Sequence, residues 1–290
     1  MTKPQYHVAS FSGGKDSTAM VLHMIERGDH LDEVLCCDTT MEFPAMYRHI
    51  EKVKKVVEAA GIKFTMLRAE HDFEYYLTEY EVVNRKPTSH IYGVPGYGWA
   101  GHLSRWCTAT MKTQLISNYL SALQENYEVI QYVGIAADED YRIERDQNQD
   151  PSHRHPLRDW GWVEDTALQY CYNRGYDWEG LYDLKRNPKT GKARVSCGCC
   201  PLQSYDDLRI LRKNFPELWS RLLDIDSRQP KSFQHGYSVA DFDKRFALED
   251  ALTEAGESLT NRAFHTDLKR LLADEVTIDD ILKERRSEKE

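Results

Sequence analysis

The sequence has no apolar run long enough to cross a membrane. None of its 290 residues lies in a stretch that approaches the ~18–20 consecutive apolar residues of a spanning helix. The N-terminus also lacks the charged and then apolar layout of a signal peptide. We therefore expect a cytoplasmic protein with no membrane partner. In that compartment the seven cysteines are expected to be reduced thiols, which favours metal or redox roles over disulfides.

The chain also lacks an excess of positive charge. Its formal net charge of −9 excludes a general nucleic-acid binder, although a local basic patch remains compatible with it. A hydrophobic content of 41% is enough for a substantial core. The length predicts one large domain, or one domain with an appendage.

The glycine-rich stretch "SFSGGKDSTAM" (10–20) lacks the two commonest phosphate-loop patterns. A Walker loop would need glycine in place of Ala9 and a hydroxyl in place of Asp16, and G-x-G-x-x-G is absent. A short strand-like stretch (6–9) precedes the glycines, and a helical pattern (18–28) follows them. A strand–turn–helix of this kind points backbone N–H groups at one spot, which suits phosphate. A plain glycine turn with a capping side chain is the alternative.

Strand-like and helix-like segments alternate over the first two thirds of the chain. The further strands are predicted at 31–40, 62–69 and 127–140, and helices at 45–61 and 103–123. This order predicts an α/β fold with a doubly wound, mostly parallel sheet flanked by helices. Ligands of such sheets bind at the carboxyl ends of the strands, where "SGGKDS", "DTT" and "GIAADED" would meet. We predict a nucleotide-binding domain over 1–225 and a helical C-terminal extension over 226–290.

The loop S-G-G-x-D-S resembles the PP-loop family, the ATP pyrophosphatases that cleave ATP between its α and β phosphates. The resemblance implies that the loop binds the departing pyrophosphate. A carboxylate beside phosphates can hold Mg²⁺, which explains the acid in the loop. The implied pyrophosphate ligands are Ser12, Gly13, Gly14 and Ser17. Asp16 is assigned to the metal or to loop geometry, and Lys15 and Asp16 are candidate catalytic residues.

The segment "CCDTTMEFPAMYRHIEKV" resembles the phosphoadenosine-phosphosulfate (PAPS) reductase branch, in which a strand ends in D-T-G and runs into E-x-P or F-P-E-T-Y. The residues that keep the pattern are Asp38, Thr39, Glu42, Phe43, Pro44 and Tyr47. Thr40 replaces the usual glycine. The resemblance implies the adenine nucleotide alpha hydrolase-like fold, with Asp38 and Thr39 on the nucleotide. Taken alone, this stretch fits a capped strand-to-helix turn without a ligand as well as it fits a nucleotide-binding motif.

Two further segments resemble motifs of the same family. In "RWCTATMK" (105–112), Arg105 and Lys112 correspond to basic residues that meet phosphate or sulfate, although both could be solvated helix charges. "VGIAADEDYRIER" (133–145) resembles G-I-R-x-D-E-S-x-x-R, with Ala136 in place of the usual arginine. The matching positions are Gly134, Asp138, Glu139 and Arg142. The resemblance implies nucleotide binding by Arg105, Gly134 and Asp138, and catalytic roles for Lys112 and Arg142.

The stretch "SCGCCP" (196–201) contains a C-x-x-C pair, which can bind zinc or an iron–sulfur cluster or cycle as a redox pair. Family members carry a further cysteine in the segment that holds Cys107 here. The resemblance implies a [4Fe-4S] cluster, with Zn²⁺ or vestigial reduced thiols as alternatives. The implied ligands are Cys107, Cys197 and Cys200, with Cys199 as a fourth donor. The remaining cysteines, Cys36, Cys37 and Cys171, are predicted core residues.

Two departures separate this chain from the sulfonucleotide reductases that it resembles. Those enzymes use a cysteine in an E-C-G-x-H context near the C-terminus, and no cysteine follows Cys200 here. They also commonly carry a degenerate phosphate loop, whereas this one is complete. Both departures favour Mg-ATP, cleaved at the α–β bond to adenylate and pyrophosphate for adenylation or sulfur transfer. Candidate acceptors are a nucleic acid and a partner protein.

Two alternative functions remain open at the level of sequence. One is a PAPS or adenylyl-sulfate reductase that uses an unusual cysteine. The other is a non-catalytic nucleotide-binding adaptor in a defence or nucleic-acid complex. The oligomeric state is also open, with a homo-oligomer as one candidate.

Overall fold

The computed structural model describes residues 3–83, 85–88, 92–144, 150–260 and 262–287. Its centre is a five-stranded sheet, all parallel, in the order β3-β2-β1-β4-β5. The strands are β1 (Gln5–Phe11), β2 (Glu33–Asp38), β3 (Lys63–Arg68), β4 (Glu128–Val133) and β5 (His153–Arg154). The predicted α/β fold with a parallel, doubly wound sheet is confirmed. The two-residue β5 was not among the predicted strands.

Helices flank this sheet. They are α1 (Lys15–Arg27), α2 (Pro44–Ala59), α3 (Phe73–Thr78), α4 (Trp106–Thr108), α5 (Gln114–Gln124), α6 (Asp140–Ile143), α7 (Pro156–Asp159), α8 (Glu164–Tyr172) and α9 (Leu181–Leu184). The single helix predicted over 103–123 is interrupted by a π-helical segment, Ala109–Thr113, between α4 and α5. π-Helical segments are rare in proteins overall, and those that occur are often found at functional sites. This one carries Lys112.

The central strand β1 fixes where the two halves of the sheet meet. Ser10 is aligned with Leu35 of β2 on one side and with Val133 of β4 on the other. The chain proceeds outward from β1 to β3 in one direction and from β4 to β5 in the other. The order therefore reverses between β1 and β4, and such switch points are where open α/β sheets bind ligands. The residues that follow β1 and β4 are the expected ligand contacts.

The chain divides into two compact units. The first comprises residues 1–76 and His102–Cys200, and it contains the sheet. Val8, Leu35 and Val129 form one of its core clusters, packed against Leu120 and Leu123 of α5 and neighbouring tyrosines. Burial on both faces is typical of a parallel sheet.

The second unit comprises Leu77–Gly101 and residues 201–290. Its helices are α10 (Tyr205–Asn214), α11 (Pro216–Ser227), α12 (Val239–Glu254), α13 (Arg262–Leu272) and α14 (Ile278–Ser287), so the predicted C-terminal region is helical. Residues 201–225 belong to this unit, and the domain boundary predicted at 225 stays a prediction. None of the helices in the described part of the chain combines the length and hydropathy needed to cross a bilayer.

Candidate functional site

The glycine loop joins β1 to α1 at the switch point of the sheet. Gly13 has a φ of +75°, a conformation that glycine adopts freely. Gly14 begins α1 without a side-chain cap, and Thr18 N donates to Gly14 O at 2.9 Å. Ser17 Oγ accepts from Ser12 N and donates to Gly14 O, both at 3.1 Å. The loop is thus tied by its own serines, and the N–H groups of Gly14 and Lys15 donate to Ser12 Oγ at 3.4 Å and to the Tyr182 hydroxyl at 2.9 Å. A helix N-terminus is a general anion-binding feature.

Lys15 is buried and lies between two carboxylates. Its Nζ is 2.9 Å from Asp16 Oδ2 and 2.8 Å from Glu164 Oε2 on α8. Burial lowers the pKa of Lys15, but the two carboxylates outweigh it and the net shift is upward. Burial raises the pKa of Asp16, with Lys15 opposing that shift and Glu139 adding to it. The ammonium therefore stays charged and holds negative charge beside the loop.

The residues after β4 extend this group of carboxylates. Asp138 Oδ1 accepts from Glu164 N at 3.0 Å, and Glu139 accepts from Arg142 at 2.6 Å. The exposed Lys192 lies 3.4 Å from Glu164. Oxygen donors from Asp16, Asp138, Glu139 and Glu164 thus lie near the loop, and carboxylate oxygens are the ligands that Mg²⁺ prefers. Gly134 lies against the backbone of Asp16 and Ser17, and Asp138 contacts Glu164, which pairs with Lys15. Arg142 pairs with Glu139, and its role at the loop stays a prediction.

The end of β2 is occupied by its own contacts. The buried Asp38 accepts from Thr40 N at 2.8 Å and from the Tyr47 hydroxyl at 2.9 Å, and it pairs with Arg68 at 2.7 Å. Thr39 is buried beside it and donates to Glu42 at 3.0 Å. The side chains of Asp38 and Thr39 are therefore engaged in contacts within the protein.

Thr40 occupies the position where glycine is usual in the family that the sequence resembles, and its backbone has a positive φ, as a glycine there would. Its φ is +61°, which is uncommon for a β-branched residue. Its hydroxyl accepts a hydrogen bond from Phe73 N at 3.0 Å, at the start of α3. This bond compensates for part of the backbone strain, so the turn keeps its shape without the glycine.

Several thiols surround Glu42 and Lys112, and we call Cys37, Cys107, Cys197, Cys199 and Cys200 the thiol cluster. Glu42 Oε1 accepts from Cys197 Sγ at 3.2 Å and lies 3.8 Å from Lys112 Nζ. Burial lowers the pKa of Lys112, but the neighbouring Cys197 and Glu42 outweigh it and the net shift is upward. The Cys37 thiol lies 3.9 Å from Lys112 O. Segments distant in sequence thus meet around one charged pair.

The thiol cluster offers the donor atoms of an iron–sulfur or zinc site, but its side chains are not arranged in the geometry of a metal site. Among the residues that the structure describes, no three Cys, His, Asp or Glu side chains are arranged to hold a metal ion. Burial raises the pKa of both Cys197 and Cys199, so these thiols stay protonated without a metal. Cys36 and Cys171 are buried as predicted, whereas Cys37 is half-buried. Arg105 is exposed at the start of α4.

Sequence reasoning missed several residues that contact the candidate site. Tyr182 and Trp178 contact the backbone of the glycine loop, and Glu164 pairs with Lys15. Arg68 pairs with Asp38, and Lys192 with Glu164. None of them lies within a phosphate-binding pattern, so only the tertiary structure reveals them.

Comparison with known proteins agrees with this geometry. The family model described as the phosphoadenosine phosphosulfate reductase domain matches residues 6–204. The chain belongs to this family. The match covers the sheet, the glycine loop, the acidic residues after β4 and the thiol cluster.

Two individual proteins are also similar to the chain. Uncharacterized protein MJ0066 of Methanocaldococcus jannaschii is 25% identical over 228 residues, which are 74% of this chain and 40% of that protein. The chain thus spans about 40% of the length of this curated relative. The structure of the U34-tRNA thiolase NcsA from Methanococcus maripaludis, with its [4Fe-4S] cluster, aligns with a TM-score of 0.38 at 16% identity, over 75% of this chain and 69% of that one.

His49 makes the stability of this region dependent on pH. It is buried, its Nε2 lies 2.9 Å from Thr18 Oγ1, and burial lowers its pKa to about 3. In the unfolded chain the His49 imidazole is protonated near pH 6.5, whereas in the folded protein it stays neutral at that pH. The contribution of His49 to the free energy of unfolding is therefore complete above pH 6.5. It is lost as the pH falls towards 3, at ~1.4 kcal/mol per pH unit. Urea unfolding at pH 7 and pH 5 should show a smaller difference for His49→Gln than for wild type.

The exposed His71 provides the control for this measurement. His71→Gln should keep the wild-type difference between pH 7 and pH 5. An equal pH dependence in wild type and His49→Gln would contradict the low pKa of His49.

Proposed function

We propose that the chain binds Mg-ATP at residues 12–17 and cleaves it between the α and β phosphates. The observation that carries the proposal is the glycine-capped N-terminus of α1 at the switch point of the sheet, with Lys15 and several carboxylates beside it. An anion-binding turn next to oxygen donors for Mg²⁺ is what a magnesium–pyrophosphate group requires. Membership of the PAPS reductase domain family supports an adenine nucleotide as the ligand.

The proposed roles follow the positions of the side chains. Ser12, Gly13, Gly14 and Ser17 bind pyrophosphate through backbone N–H groups and hydroxyls. Asp16 and Asp138 are the residues that would hold Mg²⁺, which when bound neutralises the phosphate charge. Lys15 and Arg142 place positive charge beside the leaving pyrophosphate. The nucleotide is bound by the residues that flank these, namely Asp38, Thr39, Gly134 and Arg105.

The proposed reaction is an in-line displacement at the α-phosphorus. An oxygen of the acceptor forms a bond to phosphorus, the bond to the bridging oxygen of the β phosphate breaks, and pyrophosphate leaves. A sulfur nucleophile then displaces AMP from the adenylated acceptor. We propose a nucleic acid or a partner protein as the acceptor and a cytoplasmic location for the reaction.

The thiol cluster is the proposed sulfur end of the site. Cys107, Cys197 and Cys200 would hold a [4Fe-4S] cluster or Zn²⁺, with Cys199 as a further donor. Held by Cys107, Cys197 and Cys200 alone, an iron–sulfur cluster would supply an iron able to bind sulfide or substrate. Lys112 lies beside these thiols and attracts an anionic substrate group towards them.

Incubation with α-labelled ATP, Mg²⁺ and candidate acceptors tests the proposal. We expect labelled AMP and pyrophosphate rather than ADP and phosphate. Asp16→Asn should lower AMP formation about hundredfold, since it removes a charge that acts directly on the metal–pyrophosphate group. The matched control is Asp165→Asn, an exposed carboxylate next to Glu164. It should leave the rate unchanged.

Three outcomes would contradict the proposed function. Absence of AMP and pyrophosphate above background with every acceptor would exclude α–β cleavage. Equal rates for wild type and Asp16→Asn would exclude the assigned role of the loop. Thioredoxin-dependent release of sulfite from PAPS, with no binding of ATP, would identify a sulfonucleotide reductase instead.

A further inference from the structure

Side chains from one distant segment bind three backbone atoms of the glycine loop. Trp178 Nε1 donates to Gly13 O at 2.8 Å, and the Tyr182 hydroxyl accepts from Lys15 N at 2.9 Å. The Cys171 thiol donates to Lys15 O at 3.6 Å. The two aromatic side chains are only 2% and 4% exposed, so neither can reach a bound nucleotide as a surface residue would. They contact the loop from the protein interior.

The hydrogen bond to Gly13 O determines which way the next N–H group points. In a trans peptide the carbonyl and the following N–H point in opposite directions. With Gly13 O held by the indole, the Gly14 N–H is directed away from Trp178. Two consecutive glycines allow the intervening peptide to rotate easily, and a rotated carbonyl would repel a phosphate. The Trp178 bond therefore opposes the rotation that would spoil an anion site.

The hydrogen bond to Tyr182 has a complementary effect. It satisfies the Lys15 N–H, one of the N–H groups at the helix N-terminus that lacks a helical partner. This group is thereby removed from the set that can face an anion. The remaining N–H groups of the loop define the direction from which pyrophosphate can approach.

The segment that carries Trp178 is itself held in an unusual conformation. Trp178, Glu179 and Gly180 have successive φ values of +49°, +55° and +80°. Asp177 accepts from Glu179 N at 3.0 Å, and Glu179 pairs with Arg48 on α2. Left-handed backbone at non-glycine residues is costly and persists where surrounding contacts impose it, often at functional sites.

The indole ring is also fixed from both sides. His49 stacks on Trp178 with a centroid distance of 4.3 Å and an interplanar angle of 26°. Tyr182 makes an edge contact with the same ring at 4.7 Å. The ring cannot turn away from Gly13 without disturbing both neighbours, so the donor remains in place.

We propose that Trp178 and Tyr182 are positioning residues of the phosphate loop, which fix the peptide orientation that pyrophosphate needs. The inference rests on the proposed function, since pyrophosphate is the ligand assigned there. Neither residue touches the ligand, and both act through the backbone of Gly13 and Lys15. Their removal should therefore weaken binding of the outer phosphates and leave binding of AMP unchanged.

Calorimetry on the full chain tests this inference with Mg-pyrophosphate, Mg-ATP and AMP. Trp178→Phe and Tyr182→Phe remove one hydrogen-bonding group each and keep an aromatic ring. The matched controls are Trp219→Phe, whose indole donates to Asp243 at 2.8 Å in the second unit, and Tyr119→Phe, whose hydroxyl donates to Glu33 at 2.8 Å. Hydrogen exchange of the peptide 12–18, without ligand, reports on the loop directly.

We expect Trp178→Phe to weaken binding of both Mg-pyrophosphate and Mg-ATP about tenfold, the effect of one lost hydrogen bond. The loop peptide should exchange faster than in wild type, and AMP affinity should stay the same. Tyr182→Phe should likewise speed loop exchange, since it releases the Lys15 N–H from its acceptor. Both controls should keep wild-type affinity and loop exchange while losing a comparable amount of thermal stability.

The possible failures are distinguishable. If the wild-type protein binds Mg-ATP, and Trp178→Phe keeps the wild-type affinity and loop exchange, this inference alone is overturned. The indole would then serve only packing. A wild-type protein that binds neither Mg-ATP nor Mg-pyrophosphate would overturn the proposed function, and with it the ligand assigned here.

Discussion

Replacing Gly134 with alanine is expected to lower the free energy of unfolding by about 1–3 kcal/mol and to abolish Mg-ATP binding. A Cβ atom at this position would lie 2.9 Å from Ser17 N, 3.0 Å from Ser17 Cα and 3.1 Å from Asp16 C. These are backbone atoms in the first turn of α1, so no side-chain rotation can relieve the contact. The end of β4 must move away from the loop, which separates Asp138 from Asp16. Urea unfolding and calorimetry with Mg-ATP measure the two effects.

Gly101 supplies the matched control for this substitution. A Cβ atom there meets nothing within 4 Å, so Gly101→Ala should leave stability and affinity unchanged. Wild-type affinity in Gly134→Ala would show that the close approach of β4 to α1 is not needed for nucleotide binding.

The parallel sheet was predictable because each strand carries its own local signal. Apolar stretches of strand length alternate with helical periodicity, and polar motifs follow three of the strands at their carboxyl ends. Strand β5 has no such signal, because its two residues, His153 and Arg154, pair only with Gln131 and Tyr132 at the edge of the sheet. Its pairing depends on the neighbouring strand rather than on its own sequence.

The loop residues were predictable from spacing, whereas their supporting contacts were not. Glu164 lies 149 residues from Lys15, and Tyr182 lies 167 residues from it. A buried tyrosine that accepts a backbone N–H looks in sequence like any other core aromatic. Local patterns identify the part of a site that one turn can form, and long-range contacts are fixed only when the chain folds.

The thiol cluster shows the same limit. The C-x-x-C pattern predicts Cys197 and Cys200 from sequence, whereas the apolar strand that holds Cys37 predicts a core residue there. In the structure its thiol instead lies against Lys112 O. Glu42 keeps the family pattern, yet its contacts with both Cys197 and Lys112 became visible only in three dimensions.

Lys15→Met is expected to lower the free energy of unfolding by about 3–5 kcal/mol at pH 7, because it leaves two carboxylates without their shared cation. Lys15 is 6% exposed, and its ammonium is within 2.9 Å of both Asp16 and Glu164. Lys15 opposes the upward shift in the pKa of Asp16, so that pKa should rise further in the variant. Urea unfolding between pH 7 and pH 4 measures the effect.

The loss should shrink as the pH falls, and the sign follows from both carboxyl groups. In the variant, the folded Asp16 has a pKa above its unfolded value, so protonation on acidification favours folding. In wild type, burial raises the pKa of Glu164, but the hydrogen bond and the charge of Lys15 outweigh burial, so the net shift of this pKa is downward. Its stabilisation is therefore present above the unfolded pKa and is lost on acidification. The two effects together bring the variant and wild type closer at low pH.

Lys244→Met and a double variant complete the test. Lys244 pairs with Asp274 on the surface, so its loss should change stability far less than the loss of Lys15. Lys15→Met combined with Asp16→Asn should recover part of the stability, since one of the two uncompensated charges is then removed and Glu164 keeps its contact with Lys192. A loss that is equal at all pH values and is not recovered in the double variant would mean that Lys15 stabilises the loop by packing, and that the carboxylates beside it do not need its charge.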